Sequence, residues 1–203
     1  MDLGKGILVM NTNRVPYVER LIPREEIDRL GSRSLTQGGP SKGLMPQVGL
    51  PVGAQKAPWL SSLDTPCIAP PWGYLSAVDL RSKEVIWRRP LGSGHDTGPL
   101  GIPSKISLQM GTPSDSGPLT TAGGVTFIGA ALDYAMRGFD TASGRLLWET
   151  RLPAGNQASP LTYIHNGKQY VVAVVGGHAR LGTRIGDSVI AWGLPDHSQG
   201  EQK

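Results

Sequence analysis

Tyr134-Ala-Met-Arg-Gly-Phe-Asp140-Thr-Ala-Ser-Gly144-Arg-Leu-Leu-Trp148 repeats a pattern already present at Gly73-Tyr-Leu-Ser-Ala-Val-Asp79-Leu-Arg-Ser-Lys83-Glu-Val-Ile-Trp87. In both copies an Asp stands eight residues before a Trp, and the copies lie 61 residues apart. Each reads as strand, tight polar turn, strand, with apolar residues alternating on either side. Gly144 suits a turn that needs a left-handed residue. Lys83 at the matching place predicts a different turn in the first copy.

Further strands follow outwards from the second copy. Residues 117–121, 125–131, 136–139 and 146–151 read as four short antiparallel strands, the unit of a propeller blade. Residues 159–164, 169–175 and 188–192 supply most of another, with Asn166-Gly167 as the hairpin signal between the first two. The head of the chain adds strands at 6–11 and 14–22. Between them, residues 29–71 are rich in Gly, Pro and Ser and nearly free of periodicity. They read as a long insertion in one propeller domain covering 1–203 rather than as a domain boundary. The expected fold is all-β, a partial propeller of about three blades. Closure takes four to eight, so further blades or a partner are implied.

Composition agrees and narrows the function. The 203 residues include 28 Gly and 17 Pro, roughly twice average usage, which leaves little room for long helices. The net charge of +4 is scattered, with Arg88-Arg89 the adjacent basic pair and no interleaved aromatics, so nucleic-acid binding is not expected. The longest apolar run, Tyr170 to Val175, is far too short for a membrane helix. The N-terminus does not read as a signal peptide. Cys67 stands alone, so no internal disulfide or cysteine-based zinc site is possible. The four His show no paired metal-ligand spacing, and no nucleotide-binding or hydrolase motif occurs.

The repeat, of the form A-x-D-x-x-x-G-x-x-x-W, resembles the tryptophan-docking motif of eight-bladed quinoprotein dehydrogenases. Its residues here are Asp79 and Trp87 in one copy and Asp140, Gly144 and Trp148 in the other. The tail is more specific. Arg151-Leu-Pro-Ala-Gly-Asn-Gln-Ala-Ser-Pro160, Asn166-Gly-Lys-Gln-Tyr-Val-Val172, Gly176-Gly-His178 and Gly182-Thr-Arg-Ile-Gly-Asp187 resemble the C-terminal end of membrane-bound PQQ-dependent dehydrogenases acting on glucose, quinate or shikimate. Ile7 to Arg24 and Cys67 to Asp79 continue the likeness in order.

The resemblance implies a parent enzyme on the periplasmic side of the inner membrane. It would bind PQQ and Ca²⁺, oxidise glucose or a related polyol or hydroxy acid, and reduce ubiquinone. It further implies that the catalytic carboxylate, the calcium ligands and the membrane segment belong to other parts of that parent. No catalytic residue or metal ligand is therefore expected here, and the segment alone is not expected to turn over. Asn11 falls on a strand-end Asn that contacts PQQ; an amide can donate to a quinone or carboxylate oxygen without adding charge. Its alternative is a turn-forming Asn. His178 falls on a His beside the substrate, where a neutral imidazole can bond a sugar hydroxyl; otherwise it is a solvated loop residue. Asp133 and Arg137 match a pair implicated in electron transfer to ubiquinone, or else form a surface ion pair of little consequence.

Two departures from the family pattern stand out. Asp115 and Ser116, in Gly111-Thr-Pro-Ser-Asp-Ser-Gly-Pro118, replace an apolar residue and a Gly. A buried unpaired carboxylate would be costly, so either the pocket is altered or the loop faces solvent. Ala179-Arg180-Leu181 follows His178 and brings a cation that would suit an acidic substrate. The rival reading is a non-catalytic propeller fragment acting as a protein-interaction scaffold.

Overall fold

The computed structural model describes residues 1–37 and 43–195. In chain order its elements are β1 (Ile7–Asn13), β2 (Tyr17–Pro23), α1 (Arg24–Gln37), β3 (Leu44–Met45), β4 (Val52–Pro58), β5 (Gly73–Asp79), β6 (Val85–Pro90), β7 (Leu119–Thr120), β8 (Val125–Ile128), β9 (Ala135–Asp140), β10 (Leu146–Arg151), β11 (Leu161–His165), β12 (Lys168–Val175) and β13 (Ser188–Gly193). The chain divides into two compact units. The larger comprises Met1–Asn13, Pro70–Gly98 and the chain from Ile102 onward; the smaller comprises Arg14–Ala69 and Pro99–Gly101.

In the larger unit every sheet is antiparallel, with orders β1-β5-β6, β10-β9-β8-β7 and β11-β12-β13. The expected hairpin at Asn166-Gly167 joins β11 to β12, and both residues have positive φ, as a tight primed turn requires. Successive sheets share cores. Ile7, Val9, Leu75, Ala77 and Leu91 of the first pack with Ile128, Ala130, Ala131 and Phe139 of the second. Met136, Leu152 and Ala154 in turn meet Val171, Ala173 and Val175 of the third. The alanines at these contacts let the sheets approach closely. Burying each larger aliphatic chain contributes about 1.5–3 kcal/mol.

The docking residues staple the first two sheets together. The Trp87 indole N–H donates to the Thr141 carbonyl at 3.0 Å. A Cβ on Gly144 would stand 2.5 Å from the Trp87 ring, so only glycine admits the indole there. Trp148 instead meets the third sheet edge-on through Trp192, with ring centroids 5.5 Å apart.

The two repeat turns are the same turn, which corrects the expectation for Lys83. Lys83 has φ +64° and Gly144 φ +68°. Each donates its backbone N–H to the carbonyl of the Asp four residues earlier at 2.8 Å. Asp79 accepts from the backbone N–H groups of Arg81 and Ser82; Asp140 accepts from the Ser143 N–H and hydroxyl. The Asp, rather than the glycine, specifies the turn.

The smaller unit corrects the reading of residues 29–71 as structureless. It contains α1 and a sheet of order β2-β4-β3. Glu25 and Glu26 favour the helix N-terminus, and Ile27 is the buried anchor. A Cβ on Gly53 of β4 would lie 2.7 Å from Ile27, so glycine there gives the helix its seat. Residues 38–42 of the predicted insertion lie outside the described residues.

Candidate functional site

Asn11 and Asn13 share a face of β1 with the buried Ile7 and Val9, because side chains alternate along a strand. The strand thus runs from an apolar core to a polar tip. At that tip the Asn11 amide donates to the Ser114 hydroxyl at 2.8 Å. Asn13 brackets the same residue, donating to the Ser114 carbonyl at 2.8 Å and accepting its backbone N–H at 2.9 Å.

The loop carrying Ser114 starts at Gly111, whose N–H donates to the Gly92 carbonyl, and Thr112, whose N–H donates to Leu91. Gly111 has φ +65°, and a Cβ there would meet the Gly73 carbonyl at 2.2 Å. Further along, the Asp115 N–H donates to Gln157 Oε1 at 3.3 Å and the Gly117 N–H to the Ser159 hydroxyl at 3.2 Å. The loop is therefore held from both sides, by the first sheet and by the segment after β10.

His178 reaches the same loop from the third sheet. It follows β12 through Gly176-Gly177, where Gly177 has φ +72° and lies too close to the Arg184 carbonyl for any side chain. The His178 N–H donates to the Thr183 hydroxyl at 2.7 Å, and its Nδ1 accepts the Leu181 N–H at 3.3 Å. In its neutral form the ring consequently carries its proton on Nε2. That atom lies 3.6 Å from Asp115 Oδ2, with both side chains partly open to solvent. The Asp115 carboxylate is thus exposed and faced by a histidine, so no buried unpaired charge arises. The side chain of Arg180 lies outside the described residues.

Asp133 and Arg137 form a separate cluster. Their pairing is not a surface one, for the Asp133 side chain is 0% exposed and that of Arg137 4%. Arg137 donates to both carboxylate oxygens of Asp133, and its Nε donates to Glu149 at 2.6 Å. The Ser93 N–H and hydroxyl donate to the same carboxylate at 2.7 and 2.9 Å, fastening the end of the first sheet to the second. Arg151 extends the network, donating to the Asp133 carbonyl and to Asp96, which faces His95 at 3.0 Å. Burial pulls the Arg137 guanidinium down, but the hydrogen bonds and charge of Asp133, with Glu149, outweigh it and leave it raised. Asp79 and Asp140 are both held below the usual carboxylate value, by the turn N–H groups and by the Ser143 bonds respectively.

Among the described residues no three His, Cys, Asp or Glu side chains converge as a metal-ligand set. Sequence reasoning missed Ser114, Gln157, Ser93 and Glu149. Their partners stand 12 to 103 residues away, and no local pattern marks them.

Residues 1–171 match the family described as PQQ, glucose/ethanol/alcohol dehydrogenase, beta-propeller domain. The chain belongs to this PQQ dehydrogenase propeller family. It is 41% identical over 197 residues to the quinoprotein glucose dehydrogenase of Escherichia coli (strain K12), covering 97% of this chain and 25% of that one. It is 42% identical over 154 residues to the quinate/shikimate dehydrogenase (quinone) of Acinetobacter baylyi, covering 75% of this chain and 19% of that one. The solved quinohemoprotein alcohol dehydrogenase of Comamonas testosteroni superposes with a TM-score of 0.56 at 22% identity, over 98% of this chain and 27% of that one. That likeness supports the propeller-type fold of this PQQ-family chain. The chain spans about a quarter of the length of the curated relatives it matches.

Proposed function

We propose that this chain is the C-terminal portion of a PQQ- and Ca²⁺-dependent dehydrogenase on the periplasmic side of the inner membrane. The parent oxidises glucose or a related polyol or hydroxy acid and passes electrons to ubiquinone. The observation that carries this reading is the convergence of Asn11 and His178, 167 positions apart in sequence, on the single loop of Ser114 and Asp115.

The donor set fits one edge of an anionic quinone. Asn11 and Ser114 are neutral hydrogen-bonding groups, and on the same loop the Ser116 hydroxyl is buried without a protein partner. A second hydrogen on the Asn11 amide serves an acceptor oxygen without adding charge. When bound, PQQ supplies the two-electron acceptor for hydride from the substrate carbinol carbon. His178, with its proton on Nε2, orients the substrate by donating to a hydroxyl. The proton leaving the reacting hydroxyl goes to a carboxylate in the remainder of the parent, where the calcium ligands also lie. Asp133 and Arg137 would hold fixed opposite charges on the route to ubiquinone.

A direct test joins residues 1–203 to the remaining three quarters of the E. coli quinoprotein glucose dehydrogenase. The graft should reduce an artificial dye with glucose or quinate only when both PQQ and Ca²⁺ are supplied. A graft that melts cooperatively yet reduces no dye with either substrate would contradict the reading.

A further inference from the structure

The geometry points to Asp115 as a specificity-determining residue that, with His178, selects neutral polyhydroxy substrates over carboxylated ones. This rests on the reading of His178 as a substrate-side residue. The His178 ring and the Asp115 main chain are each held by a hydrogen bond. The Leu181 N–H fixes the His178 tautomer and Gln157 fixes the Asp115 main chain. The His178 Nε2 to Asp115 Oδ2 distance of 3.6 Å exceeds a hydrogen bond, so donor and acceptor face each other without satisfying one another. A hydroxyl bridging the pair from the side, about 2.7–2.9 Å from each atom, accepts from Nε2–H and donates to Oδ2. A substrate carboxylate in that position can accept from His178 but has no proton to offer Asp115, and it meets a like charge. The Asp115 side chain is 53% exposed, so water screens part of that repulsion and the effect is moderate.

The experiment uses the same graft on the E. coli enzyme, assayed with glucose and with quinate. Asp115→Asn should raise the quinate-to-glucose ratio of kcat/KM by about five- to tenfold, the size of one like-charge contact in a partly screened site. The change should appear in KM, and it should shrink at high salt. Asp115→Glu, which keeps the charge, should hold the wild-type ratio within about twofold. A wild-type graft that binds no PQQ overturns the proposed function. Sustained turnover with an unchanged ratio in Asp115→Asn overturns this inference alone. If the Asn variant does not assemble, an aspartate placed at the aligned loop position of the A. baylyi quinate/shikimate enzyme decides. It should raise KM for quinate several-fold with kcat kept, whereas an asparagine there should not; equal effects of the two would overturn the assignment.

Discussion

Lys83 occupies a left-handed backbone conformation, φ +64°, that glycine adopts freely and lysine does not. Its turn survives because Asp79 and the backbone ring around it hold the shape. Lys83→Gly should therefore stabilise the folded protein by about 0.5–1 kcal/mol, the αL relief less the extra freedom of an unfolded glycine. Gly144→Ala should act oppositely and more strongly, costing about 2–4 kcal/mol, because the methyl adds a collision with Trp87 to the same backbone penalty. Thermal unfolding midpoints of the two variants check this pair. A lower midpoint for Lys83→Gly would show that the lysine makes a compensating contact.

At the scale of elements, the Asp-anchored turns carry a pH dependence. Asp79 and Asp140 are held below the ordinary carboxylate value in the folded chain. As pH falls below about 4, the unfolded chain takes up these protons first, so protonation favours unfolding. The turns' contribution is full above that range and is lost as pH drops through the depressed folded values. Asp79→Asn with Asp140→Asn should flatten the acid limb of stability against pH while leaving its slope above pH 6 unchanged. Urea unfolding across that range checks it, and an unaltered acid limb would remove the carboxylates from the account. The strands were legible because alternation and Asn166-Gly167 are local signals. Helix α1 was not. Of its described side chains Ile27 is the buried one, Gly31 lies mid-helix, and the seat that holds it is Gly53, 26 residues away. The Lys83 turn was misread because glycine was taken as the specifier when the Asp eight residues before Trp was carrying the geometry.

For the whole molecule, consecutive sheets joined by shared alanine-rich cores and by Trp87 on Gly144 bring distant chain segments to one loop. Asn11 and His178 were legible as candidate site residues only through their likeness to a family, since an Asn after a strand and a His in a glycine loop have ordinary alternatives. Asp115 was legible as a departure, and the structure places it against His178. Ser114, which ties Asn11 to that loop, could not be read from the chain because its partner is 103 residues away. The family likeness also left the Asp133–Arg137 pair open to a surface reading, and burial came only with the fold. We propose that this polar tip holds one edge of PQQ. The most direct measurement is an equilibrium titration of PQQ into the assembled graft, comparing wild type with Asn11→Asp, which puts a carboxylate against an anionic ligand at nearly constant size. The account predicts saturable one-to-one binding that weakens at least tenfold in the variant. A folded graft that fails to bind PQQ, or that binds it equally well with Asp at position 11, would contradict it.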